Sequence, residues 1–180
     1  MKDIKLIIAI VLVAIVWGTT FLGIRVAVET IPGWFVAGIR QFIAGIIMLL
    51  ILIFRNELKW IGWKNFWYQI IIATLMLIFA NGMTTVAEEN LTSSLASLIS
   101  ASTPILVFIG SLIIGLQKFT IKGLIGILMC FSGILFIFWD GLKDLANPEY
   151  QSGIILMFGA IFGFASGILF SKKIKINSEN

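Results

Sequence analysis

The sequence predicts an all-α membrane protein, a polytopic bundle of about six transmembrane helices with both termini in the cytoplasm. Three observations carry this. Of 180 residues, 59% are hydrophobic and 12% charged, about half the charge of an average soluble domain. Mean hydropathy is +1.07. Apolar runs of about 17 to 25 residues recur from end to end, each enough to cross a hydrocarbon core of about 30 Å. The basic residues lie almost entirely in the short links between those runs.

The first span covers residues 4–23, with Lys2 before it and Lys5 at its very start. It is too long for the apolar region of a signal peptide and lacks a small-x-small pattern before Trp17, so it reads as an uncleaved span. The second covers 33–54 and is opened by Pro32. The third covers 66–85, the fourth 91–116, the fifth 121–139 and the sixth 153–170. The polar tail, 171–180, is expected in the cytoplasm. Short links make sequential helices neighbours and leave no room for a soluble domain between them.

Sidedness follows from Lys and Arg. Lys2, Lys5, Arg55, Lys59, Lys64, Lys118, Lys122, Lys172, Lys173 and Lys175 fall on one side; only Arg25 and Lys143 fall on the other. The lysine-rich side is therefore cytoplasmic. The outer links hold Glu29, Glu88, Glu89, Asp140, Asp144 and Glu149. Trp60, Trp63, Trp67 and Tyr68 cluster at the inner end of span three, and Trp34 and Trp139 mark outer ends, as interfacial anchors do.

The segment 87–104 is expected to organise the bundle. Glu88 and Glu89 precede a run carrying Thr92, Ser93, Ser94, Ser97, Ser100, Ser102 and Thr103, followed by Pro104. Small hydroxyl residues let membrane helices approach closely and hydrogen-bond across the contact. A proline within a span kinks the helix and frees a carbonyl, which a neighbour or a cavity must satisfy. Gly159, Gly163 and Gly167, four apart in span six, predict a close-packing ridge, and Gly123, Gly126 and Gly133 a similar one in span five.

The composition excludes several functions. There is no His, and Cys130 is the single cysteine, so no metal-ligand set, disulfide framework or common proton shuttle is present. No nucleophile stands with a base and no loop is built to cradle phosphate, so neither an enzyme nor a bound cofactor is expected. The net charge of +4 belongs to membrane topology, not to nucleic acid. The expected partners are the lipid bilayer and a small solute.

What remains is polar groups inside spans. Trp17 and Thr20 in span one, Asn81 in span three, and Ser97 and Ser100 in span four enter from the outer side to overlapping depth. Two readings stay open: a polar cavity lining, or hydrogen bonds between helices worth about 0.6 kcal/mol each. Arg40 is the one ionised group well inside a span. It reads either as the partner of Glu29, Glu88 or Glu89, or as an anion-binding group or gate. No buried acid able to carry a coupled proton is expected.

These residues resemble the drug/metabolite transporter superfamily, specifically its EamA-like members. The matching features are Trp17-Gly18-Thr19-Thr20-Phe21, Pro32 with Arg40, and residues 87–94 leading to Ser102-Thr103-Pro104. Lys118-Phe119-Thr120, Gly123-Leu124-Ile125-Gly126 and Gly133 follow. Leu116-Gln117 stand where such proteins carry Gly-Glu. The resemblance implies one five-helix repeat over 4–139, with 153–170 as the first helix of a second repeat. The whole would be half of a ten-helix inverted-repeat transporter, which works by alternating access. It further implies a solute class of amino acids, metabolites or drugs, moved outward. The chain is then a truncated product, a half completed by a second chain, or a self-associating unit whose partner must insert inverted. The alternative is a non-transporting remnant or accessory membrane subunit.

Overall fold

The computed structural model describes residues 2–137 and 139–179; among the charged positions named above, the side chains of Lys2, Asp140, Lys143, Asp144 and Lys175 lie outside the described residues. The described residues form helices joined by short links, with no strands. Its elements are α1 (Lys2–Val28), α2 (Gly33–Phe54), α3 (Trp63–Ala73), a π-helical stretch (Thr74–Gly82), α4 (Met83–Ala87), α5 (Ser93–Ser100), α6 (Thr103–Ile113), α7 (Ile121–Ile137), two 3-10 turns (Trp139–Ala146 and Pro148–Tyr150) and α8 (Gln151–Glu179). Among the described residues, five apolar helical stretches are long enough to span a membrane: Ile4–Val28, Gly33–Phe54, Trp63–Ala87, Ser93–Ile113 and Pro148–Ile174. Ile121–Phe136 is apolar but shorter. The described residues make an all-α, multi-pass membrane protein.

Local chemistry sets the ends of these helices. Asn56, at φ 53°, follows the end of α2, and the Glu57 N–H donates to the Leu52 carbonyl at 3.0 Å. That six-to-one bond closes the last turn once a left-handed residue is in place. Gly115, at φ 71°, ends α6 in the same way, with Leu116 N–H donating to Ser111 O at 2.8 Å. The Thr92 hydroxyl accepts from Leu95 N–H at 3.2 Å and starts α5.

Span three is helical throughout but not α-helical throughout. Its middle nine residues, Thr74–Gly82, are wound as a π-helix, a conformation found mostly as short bulges at functional sites. Span four is two helices broken at Ala101 and Ser102, with Pro104 in the first turn of α6. Proline cannot donate to the carbonyl four residues back. That carbonyl, Ser100 O, accepts instead from the Thr103 hydroxyl at 2.7 Å.

The organising helix is α8, where the hydroxyl-rich span four was expected. It packs against the π stretch, α4, α5 and α6. The reason is its glycine face. A Cβ at Gly163 would lie 3.2 Å from Leu75 O and 3.6 Å from Ala80 N; one at Gly159 would lie 3.0 Å from Met83 Sδ. Gly167 faces Met76 and Leu75, and Gly153 faces Leu91 and the Ala87 carbonyl. Absent side chains let α8 lie directly on the backbone of span three. Span four supplies Leu95, Ala96, Leu98 and Ile99 to the core, beside Ala87, Leu91, Met157 and Ile161. In α7 a Cβ at Gly123 would meet the Phe108 ring at 3.3 Å, whereas Gly126 and Gly133 face nothing within 4 Å.

Candidate functional site

A cleft of about 460 Å³ lies where α1, α2 and the π stretch approach one another. Leu12, Val13, Val16, Trp17 and Thr20 line it from α1, Arg40 from α2, and Asn81 from the penultimate residue of the π stretch. The walls are mostly apolar with a few polar groups, the usual character of a small-molecule site. Four of the residues read from the sequence, Trp17, Thr20, Arg40 and Asn81, thus share one cavity. Ser97 and Ser100 are not part of its lining.

The polar groups have distinct chemistry. The Arg40 guanidinium donates through Nη2 to Asn81 Oδ1, so its partner is a neutral amide and none of the three glutamates considered from the sequence. Its charge is therefore not cancelled, and its remaining N–H groups are available to an anion. The Thr20 hydroxyl donates to Val16 O at 2.7 Å, which leaves it only an acceptor for anything in the cleft. The Trp17 ring stands edge-on to Phe164 of α8, centroids 6.4 Å apart. That contact ties the cleft to the central helix. The Ser97 hydroxyl turns back to Ser94 O at 2.9 Å. Among the described residues no group of His, Cys, Asp or Glu is placed to hold a metal ion.

The residue that the sequence reading placed in an outer link, and the structure places in the core, is Glu88. It is 0% exposed. It follows the last residue of span three, at the end of α4, in the tight link to α5. The N-terminal turn of α8 closes over that link where Gly153 lies on Ala87 and Leu91. Among the described residues, neither carboxyl oxygen of Glu88 has a hydrogen-bond partner. Burial pushes its carboxyl up to about 8, against the opposing pull of Arg40 and then Arg25. The expectation of no buried acid is therefore corrected. Glu89, its neighbour, points outward and accepts from the Gly33 N–H at the start of α2, where a helix favours negative charge. Arg25, in the last turn of α1, donates to the Glu88 backbone carbonyl at 2.6 Å and to that of Glu89 at 3.0 Å. The sequence did hold one signal for Glu88: it sits between the apolar residues Ala87 and Leu91.

Sequence comparison decides the family. The model of the EamA-like transporter family matches residues 4–139. The chain belongs to the EamA-like transporter family. Among its relatives is the uncharacterized inner membrane transporter YedA of Escherichia coli, 30% identical over 83% of this chain and 50% of that one. Protein PagO of Salmonella typhimurium is 26% identical over 89% of this chain and 53% of its own length. The uncharacterized transporter YoaV of Bacillus subtilis is 25% identical over 94% and 58%. This EamA-like chain spans about half the length of the curated relatives it matches. No solved structure matches it. The family and two of these relatives, YedA and YoaV, are named for transport.

Proposed function

We propose that this EamA-like chain carries a small organic solute with an anionic group through the cleft between α1, α2 and the π stretch. The observation that supports this most is the convergence of Trp17, Thr20, Arg40 and Asn81 on one cavity within membrane-spanning helices. In this reading the uncancelled Arg40 charge holds the anionic group, Asn81 orients the guanidinium, and Thr20 accepts from a solute N–H. The Trp17 ring covers an apolar part. An amino acid or small metabolite fits this chemistry, drugs belong to the solute range of the family resemblance, and that resemblance makes the direction outward. The lysine-rich links face the cytoplasm. Exposure alternates between sides by rocking of this unit against a second one of inverted orientation, supplied by another chain or by an inverted copy of this one.

A second reading, a non-transporting remnant or accessory subunit, draws on the local pairing of the hydroxyls. Thr20, Thr85, Ser97 and Ser102 all donate to carbonyls of their own spans. Accessibility separates the two. With Cys130 replaced by Ala, single cysteines at Thr20 and Asn81 should react with a water-soluble thiol reagent in membranes, and one at Ser97 should not. Protection of both cleft positions would remove the transport reading. Light scattering in mild detergent then reports whether a second unit accompanies the chain.

A further inference from the structure

We propose that Glu88 is a proton-binding site of this transporter, protonated while the core around it is closed and ionised when that core opens to water. Its use in transport rests on the reading above; the site itself is a property of the chain. Two guanidinium groups act on this carboxyl, yet neither donates to it. Arg25 donates to two backbone carbonyls and Arg40 to an amide oxygen. An ionised carboxylate without donors in a sealed core leaves a bare charge at a cost of several kcal/mol, and an available guanidinium would turn to it. Donors spent on neutral oxygens beside a carboxyl with none is the arrangement of a neutral acid.

Among the described residues, two cations act on Glu88. Arg25 faces Glu88 from α1 and Arg40 from α2. Glu89 is engaged with Gly33. α5 contains no titratable residue, and on α8 the titratable positions lie at its far end, with Glu149 and Tyr150 just before its start. Burial accordingly dominates and pushes the carboxyl up to about 8. Loading is simple protonation: an O–H bond forms on one Glu88 oxygen, a proton leaves bulk hydronium, and the side chain goes from −1 to 0. Arg40 links this to the cleft. A neutral Glu88 leaves Arg40 on Asn81, facing the solute; an ionised Glu88 competes for it.

The test is infrared spectroscopy of the purified chain in lipid, titrated from about pH 5 to about pH 10. A protonated-carboxyl C=O band should titrate near the value that burial sets, shift on 13C-glutamate labelling of the unmutated chain, vanish in Glu88→Gln and persist in Glu89→Gln. Arg40→Gln should raise its midpoint by about one pH unit or more, toward the top of that range or past it, the effect of removing a nearby opposite charge. A band absent above about pH 6, insensitive to 13C-glutamate, or retained in Glu88→Gln would overturn the proposal. The band does not depend on transport, so its loss leaves the transport reading standing. A titrating band in a chain with an inaccessible cleft would do the reverse.

Discussion

Raising the pH should destabilise this protein through one side chain. In the unfolded chain a glutamate titrates at about 4.5, and in the folded core Glu88 is pushed up to about 8. Folding therefore favours the protonated form. The stability held below the unfolded value is lost progressively as pH rises through the folded one. At about 1.36 kcal/mol per pH unit, the full loss is roughly 5 kcal/mol, and about 3 kcal/mol of it falls between pH 5.5 and pH 9. These are upper figures, because Arg40 can turn to the ionised carboxylate and recover part of the cost. The assay is denaturant unfolding in detergent micelles across that range, on the unmutated chain and on Glu88→Gln. The amide keeps the shape and cannot ionise, so its profile should be nearly flat and should exceed the unmutated protein at high pH. Equal pH dependence in both chains, or a rise in stability with pH that Glu88→Gln abolishes, would refute the argument.

Further consequences can be checked in the same micelles. Removing the amide acceptor of Arg40 in Asn81→Leu should cost about 1.5–3 kcal/mol, the usual range for a hydrogen bond to a charged group; a double-mutant cycle with Arg40→Met should show coupling of that size, and additivity would exclude the pair. Gly163→Ala puts a methyl 3.2 Å from a backbone oxygen that cannot swing away and should cost about 1–3 kcal/mol, whereas Gly126→Ala meets nothing within 4 Å and should be neutral or stabilising by up to about 1 kcal/mol. Glu89→Ala removes the acceptor at the first turn of α2 and should cost about 0.5–2 kcal/mol, read as a lowered unfolding midpoint.

Much of this protein is determined by local composition, which a sequence states directly. Runs of apolar residues long enough to cross a bilayer must form helices there, because no water is present to satisfy a bare backbone. Lysine placement, the family and the residues of the cleft follow from the same level: Trp17, Thr20, Arg40 and Asn81 are conspicuous because polar groups are rare inside spans. Even the ridge of Gly159, Gly163 and Gly167 is visible as a spacing. Only the tertiary structure decided what those groups meet. Arg40 was read against three glutamates, and it meets Asn81 because the π stretch carries that amide to the face of α2. Ser97 and Ser100 matched the cleft residues in chemistry, but they stand elsewhere in the bundle. Glu88 and Glu89 are adjacent and identical, so nothing in their own chemistry separates them. The turn that follows α4 directs them apart, one inward and the other toward Gly33. Glu88 is sealed by α8, whose Gly153 packs on the link more than sixty residues away in sequence. Desolvation sums over neighbours brought from distant parts of the chain, and that sum exists only once the chain has folded.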